Sequence, residues 1–163
     1  MSFFRHRHAA AFGLPVLALL MAATGCTSAD DDASTVVPSP DAKVTKLCEN
    51  LDKELPEKVT DLDRNDPEPR SALTAGWGSP AIILRCGVER PAKMNDPNAD
   101  DAEVNGVGWL VEKQDDGSYV FTTSLRTAYV EVRLPEERAD LGAGPLTAFA
   151  EPVKKAIPEG IAD

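Results

Sequence analysis

A chain of 163 residues with 17 basic and 27 acidic side chains, net −10, is too acidic to hold nucleic acid or to lie flat on anionic lipid, since both need a cationic face. Its only histidines are His6 and His8, both inside an N-terminal stretch that has the pattern of a removable leader. A chain cleaved there has no histidine, which excludes Ser-His-Asp and Cys-His catalysis and ordinary histidine-ligated zinc sites.

In the leader, Arg5 and Arg7 precede an apolar run from Ala9 to Ala23, and Ala23-Thr24-Gly25-Cys26 follows. Charged start, apolar middle and small residues before a single cysteine predict a lipoprotein signal peptide over residues 1–25, with Cys26 as the lipid-attachment residue. Broken by Gly13 and Pro15, the run falls short of the ~20 apolar residues of a transmembrane helix. Ala23 stands where such a box usually has Leu, and an ordinary signal peptidase also accepts these small residues. Both routes cut before Cys26 and differ in the fate of the thiol. Lipidation is the reading taken, because an ordinary exported protein gains nothing from a cysteine at its first mature position. A diacylglyceryl thioether and an N-terminal acyl chain together satisfy the need of stable anchoring for two hydrocarbon signals. The expected location is the outer face of the cytoplasmic membrane.

Removing residues 1–25 takes two of the 17 basic residues and no acidic one, leaving 15 against 27, net −12. The lipid must then anchor the chain without help from charge. Residues 26–43, with Asp30, Asp31 and Asp32 and then Pro38 and Pro40, are expected to be an acidic, proline-broken tether with nothing to bury.

Residues 44–163 are enough for one domain with one modest core. Val44, Leu47, Cys48, Leu51 and Leu55 recur at helical spacing and predict an amphipathic helix stopped near Pro56, with Cys48 on its buried face. Residues 61–78, rich in charge and interrupted by Pro67, Pro69 and Gly76, are expected to be a long surface loop. A strand over 81–88 places Ile82, Leu84 and Cys86 on one face and Ile83 and Arg85 on the other. Val107, Trp109 and Val111 alternate as a second strand, Asp116-Gly117 is a hairpin signal, and 119–123 returns as a third. The fourth has Ala128, Val130, Val132 and Leu134 inward, Tyr129, Glu131 and Arg133 outward, and ends at Pro135. Leu146, Phe149, Ala150, Val153 and Ile157 predict a last helix, which Pro152 should kink or split. The expected fold is α+β: an N-terminal helix, a four-stranded antiparallel meander and a kinked or broken C-terminal helix, as a two-layer sandwich with both helices on one face.

Cys48 and Cys86 thus lie on apolar faces that must pack together, in an oxidising compartment. A Cys48 to Cys86 disulfide is expected, two buried free thiols being the alternative.

Leu84-Arg85-Cys86-Gly87, preceded by Trp77-Gly78-Ser79-Pro80 and followed by Arg90-Pro91, then Val104-Asn105-Gly106-Val107 with Trp109, resembles an actinobacterial family of exported proteins and lipoproteins, domain of unknown function 3515. The likeness runs from about Cys48 to Pro135. Leu125 and Ala128 depart from its pattern, which has Gly before and Pro after the arginine matched by Arg126. The resemblance implies an envelope lipoprotein and supplies no catalytic residue.

Asp96, Asn98 and Asp100 match the first ligand positions of a calcium loop, but Asp101 stands where the turn needs Gly and Val107 where a bidentate Glu belongs. Asp61, Asp63 and Asn65 fail in the same way. No metal or cofactor is expected, and no spacing singles out a catalytic carboxylate pair. What remains is recognition, for which the candidates are Trp77, Arg85, Arg90 and Arg126, indole and guanidinium groups being suited to stacking and forked hydrogen bonds. Trp109, in phase with Val107 and Val111, reads as core, and Arg85 as half of an ion pair on the sheet's other face. Trp77, between Gly76 and Gly78, is open to either reading. The expected function is a non-catalytic cell-envelope binding or assembly module, meeting an envelope protein or a cell-wall component. The alternative is a small carboxylate-dependent cell-wall hydrolase.

Overall fold

The computed structural model describes residues 33–162; residues 1–25 and Cys26 lie outside that range. Helix α1 (Ala42–Asp52) starts where Asp41 caps it, its carboxylate accepting the backbone N–H groups of Lys43 at 2.7 Å and Val44 at 3.0 Å. Such a cap supplies acceptors for N–H groups that the helix leaves unpaired. The helix ends before Pro56 and buries Cys48 and Leu51.

The stretch expected as a loop over 61–78 is more regular than that. Strands β1 (Lys58–Val59) and β2 (Leu62–Asp63) form a hairpin, and β3 (Thr74–Trp77) is a strand buried at every position. Thr60 and Asp61 make the hairpin turn with φ of 47° and 67°, the left-handed pair that two-residue hairpins require. Two-residue strands are too short to show alternation, and the glycine within β3 reads as a loop signal. It serves close packing instead: a Cβ on Gly76 would stand 2.5 Å from the Asn65 carbonyl oxygen.

The remaining strands are β4 (Ile82–Val88), β5 (Asp101–Val104), β6 (Val107–Lys113), β7 (Tyr119–Thr123) and β8 (Tyr129–Leu134). The expected four-stranded meander is corrected to a six-stranded antiparallel sheet in the order β3-β4-β8-β7-β6-β5, beside the separate hairpin. Strands β5 to β8 do form a meander; β4 then docks on β8, with Leu84 opposite Val132 and Arg85 opposite Glu131. Strand β5 escapes the pattern because its alternating Asp101, Ala102, Glu103 and Val104 bury little.

Helix α2 (Thr147–Ala156) is one element, not two, although Pro152 lies inside it. A proline forfeits one hydrogen bond and crowds the preceding turn, whereas Phe149, Ala150 and Val153 are fully buried on this helix. That burial holds the helix together. Both helices pack on the sheet face formed by Ala75, Trp77, Leu84, Cys86, Val130, Val132, Phe121 and Trp109, and one core results. A disulfide joins Cys48 of α1 to Cys86 of β4, with Cα atoms 5.5 Å apart.

On the other face, the chain from Ala33 is fastened to the domain: Glu68 donates its N–H to the Ala33 carbonyl at 2.9 Å, and Thr35 donates to that of Glu68 at 3.1 Å. Farther on, Pro40 crosses β4 at Gly87, where a bulge falls between Cys86 and Val88 and a Cβ would meet Pro40 Cγ at 2.5 Å. Gly87, with φ of 84°, suits both demands.

Candidate functional site

The four recognition candidates separate into three kinds. Trp77 is fully buried in β3, and its indole Nε1 donates to the Pro56 carbonyl at 2.9 Å, so it is a core residue and drops out as an exposed anchor. Arg85 stands opposite Glu131 in register and makes a forked pair with it, Nε to Oε1 at 2.9 Å and Nη2 to Oε2 at 3.0 Å. Its donors are largely spent within the sheet. Arg90 is exposed and folds back on its own loop, Nη1 to Asn95 Oδ1 at 2.6 Å and Nη2 to the Met94 carbonyl at 3.2 Å.

Arg126 differs from all of them. It is 4 % exposed, yet among the described residues no buried carboxylate faces it. Nη1 donates to the Ile157 carbonyl at 3.2 Å and Nη2 reaches the Gly106 carbonyl at 3.4 Å. The approaching carboxylate, Glu159, is 3.7 Å away with its side chain 83 % exposed. The residue is held there by the segment after α2, where Thr127 donates to the Pro158 carbonyl and Gly160 donates to that of Leu125, both at 3.0 Å.

Three depressions adjoin one another around these residues. One of about 660 Å³ lies between the Pro38–Asp41 segment and β4, with Arg85, Arg90 and Tyr129 in its lining. A second, of about 280 Å³, shares Arg90 and Tyr129 with the first and adds Met94, Leu110, Leu125 and Ile161. The third, of about 420 Å³, shares Ser124, Leu125, Gly160 and Ile161 with the second and contains Arg126, Glu103 and Glu159. Leu125 and Ile161, both 72 % exposed, belong to both of the last two. Leu125 moreover has φ of 53°, a conformation that side-chain-bearing residues rarely adopt and that commonly marks functional positions.

Residue-type reasoning missed Tyr129, Leu125, Glu159 and Ile161. Tyr129 was expected to point outward from its strand; it does leave the core face, but it is 6 % exposed and lines the first two depressions. The signal available for Leu125 was its departure from a pattern that has Gly before the arginine, at a position where φ is 53°.

The titratable groups bear on chemistry. Asp96 and Asp116 are both held below the ordinary carboxylate range, Asp96 chiefly by a hydrogen bond from Lys93 and Asp116 by one from the Ser118 hydroxyl. A carboxylic general acid for glycoside cleavage needs the opposite displacement. Asp96 also accepts the Asn98 N–H at 2.9 Å, which commits it to the local turn. Among the described residues no three Cys, His or carboxylate side chains converge as metal ligands.

The family described as protein of unknown function (DUF3515) matches residues 8–162, nearly the whole chain. The chain belongs to the DUF3515 family. No curated protein and no solved structure matches it. In this DUF3515 chain the match covers every element of the domain, both cysteines of the disulfide and all three depressions. No helix among the described residues is long and apolar enough to cross a membrane.

Proposed function

We propose that this DUF3515 chain is an exported, actinobacterial-type lipoprotein, anchored through lipid on Cys26 to the outer face of the cytoplasmic membrane, whose domain is a non-catalytic envelope binding or assembly module. The anchor rests on the leader pattern that closes on Ala23-Thr24-Gly25-Cys26. The binding role rests on one observation: a strained, exposed leucine sits where an apolar depression meets a pocket containing a buried arginine. Folded chains keep such arrangements at a cost in stability, and clusters of this kind occur where a surface receives something.

The two parts are linked by length. Because the backbone is fastened at Ala33, six residues separate it from Cys26, a span of at most about 25 Å when fully extended. A lipid on Cys26 therefore holds the domain close to the bilayer. The hydrolase reading has one observation on its side, that Glu103 and Glu159 line the same pocket. Their exposure speaks against it, because the acid of that reaction works from a desolvated position.

Detergent phase partitioning tests the anchor: the parent chain is expected in the detergent phase with acyl mass on its Cys26 peptide, and Cys26→Ala is expected in the aqueous phase or unprocessed. An unmodified Cys26 peptide from soluble protein removes it. For the module, a photoreactive residue at Leu125 is expected to crosslink in intact cells, whereas the same group at Asp115, in the hairpin turn between β6 and β7, is not. Equal labelling from both positions removes the site.

A further inference from the structure

We propose that the Arg126 pocket binds the free carboxylate of a short peptide whose last residue is aliphatic, the side chain lying against Leu125 and Ile161. The inference rests on the binding-module reading and names the ligand chemistry of that surface.

Among the described residues, Arg126 has no anion within hydrogen-bond distance. Taking a guanidinium out of water is costly unless an anion with good geometry accompanies it. The chain meets that need at Arg64, bonded to Asp52 at 2.6 Å and Asp66 at 2.7 Å, and at Arg85, forked to Glu131. At Arg126 it supplies two carbonyls and, at 3.7 Å, a solvent-exposed carboxylate. At that distance the carboxylate is beyond hydrogen-bond reach, and it stays in solvent. A planar guanidinium in the wall of an open pocket, held by two long hydrogen bonds to carbonyls, is suited to one anion above others, a carboxylate, which such a fork can bind through two parallel hydrogen bonds.

The surroundings choose among carboxylates. Leu125 and Ile161 present aliphatic surface on the side of the apolar depression, which calls for an apolar group next to the charge. A fatty acid meets both conditions, and so does a peptide end. One feature favours the peptide. Strand β5 is the last of the sheet and Glu103, which it carries, lines the pocket, so an extended backbone can pair with a strand edge that an acyl chain has no means to use.

Titration of the full chain, followed by backbone amide NMR, decides the matter. Acetyl-alanyl-alanyl-leucine is expected to shift the amides of Leu125, Arg126 and Gly160, and its C-terminal amide to bind at least tenfold more weakly. Leu125→Asn, a residue that tolerates positive φ, should keep the fold and weaken the free acid several-fold, and Arg126→Gln should abolish the preference for acid over amide. Equal binding of acid and amide by the parent chain overturns the proposal, with no variant needed. Sodium decanoate binding at this site as tightly as the peptide overturns it in favour of an acyl chain. If no peptide binds while the Leu125 crosslinker still captures an envelope component, the ligand class is wrong and the module reading stands.

Discussion

Trp77→Ala is expected to lower the unfolding free energy by about 3–5 kcal/mol, the usual cost of truncating a large buried aromatic side chain. The indole is fully buried, its ring centroid 4.9 Å from that of Phe149 on α2. The Arg64 guanidinium stands 5.8 Å from the ring, itself tied to Asp52 of α1 and to Asp66. One side chain therefore joins β3, the second helix and the exit of the first. Trp109→Ala should cost a similar amount, but the two residues differ in their nitrogens. Trp77 Nε1 donates to the Pro56 carbonyl, whereas Trp109 Nε1 is buried without a partner among the described residues. Trp77→Phe should then lose about 1 kcal/mol with that hydrogen bond, beyond any packing change, while Trp109→Phe should recover part of its packing loss by removing an unpaired polar group. Urea unfolding followed by far-UV circular dichroism, which does not depend on the deleted fluorophore, measures both. A domain of this size has about 5–15 kcal/mol in all, so Trp77→Ala should melt visibly early. A midpoint equal to the parent's would return Trp77 to the surface.

How far the fold was legible in the sequence followed from how much each element buries. Strands β4, β6 and β8 carry alternating large apolar residues, and α1 and α2 carry them at helical spacing, so periodicity locates these five, while the Asp116-Gly117 hairpin signal adds β7. The hairpin of Lys58–Val59 with Leu62–Asp63 is too short for any period, β5 is too polar, and β3 has a glycine where a loop would have one. The docking of β4 on β8 is a long-range pairing that no local pattern encodes. The site was less legible still. Arg126 was named for its side-chain type, but its isolation depends on the carbonyls of Gly106 and Ile157 and on Glu159, which come from parts of the chain that are distant in sequence. Trp77 illustrates the converse: flanking glycines suggested a loop, and what they provide is room for backbone to approach, as the 2.5 Å gap from a Gly76 Cβ to Asn65 shows.

The disulfide is where a second large effect is expected. Replacing both Cys48 and Cys86 by Ala should cost about 4 kcal/mol on the chain-entropy account, given the 38-residue separation that the bond spans. The bond pins α1 to β4, the strand next to the β3 edge of the sheet, so its loss acts on two layers together. Single Cys86→Ser is the harsher variant, since it also buries an unpaired hydroxyl and frees a thiol at Cys48, whose surroundings are fully closed to water. The signature should differ from that of Trp77→Ala in one measurable respect. A cross-link restrains the unfolded chain, so removing it exposes more surface on unfolding and should steepen the urea dependence while lowering the midpoint; a core truncation lowers the midpoint with the slope little changed. Since Cys48 and Cys86 are buried, reductant alone should act slowly on the folded protein and rapidly in denaturant. Quantitative alkylation of both thiols in denaturant without reductant would show that the bond does not form, and the stability expected from it would have to be sought in packing between α1 and β4 alone.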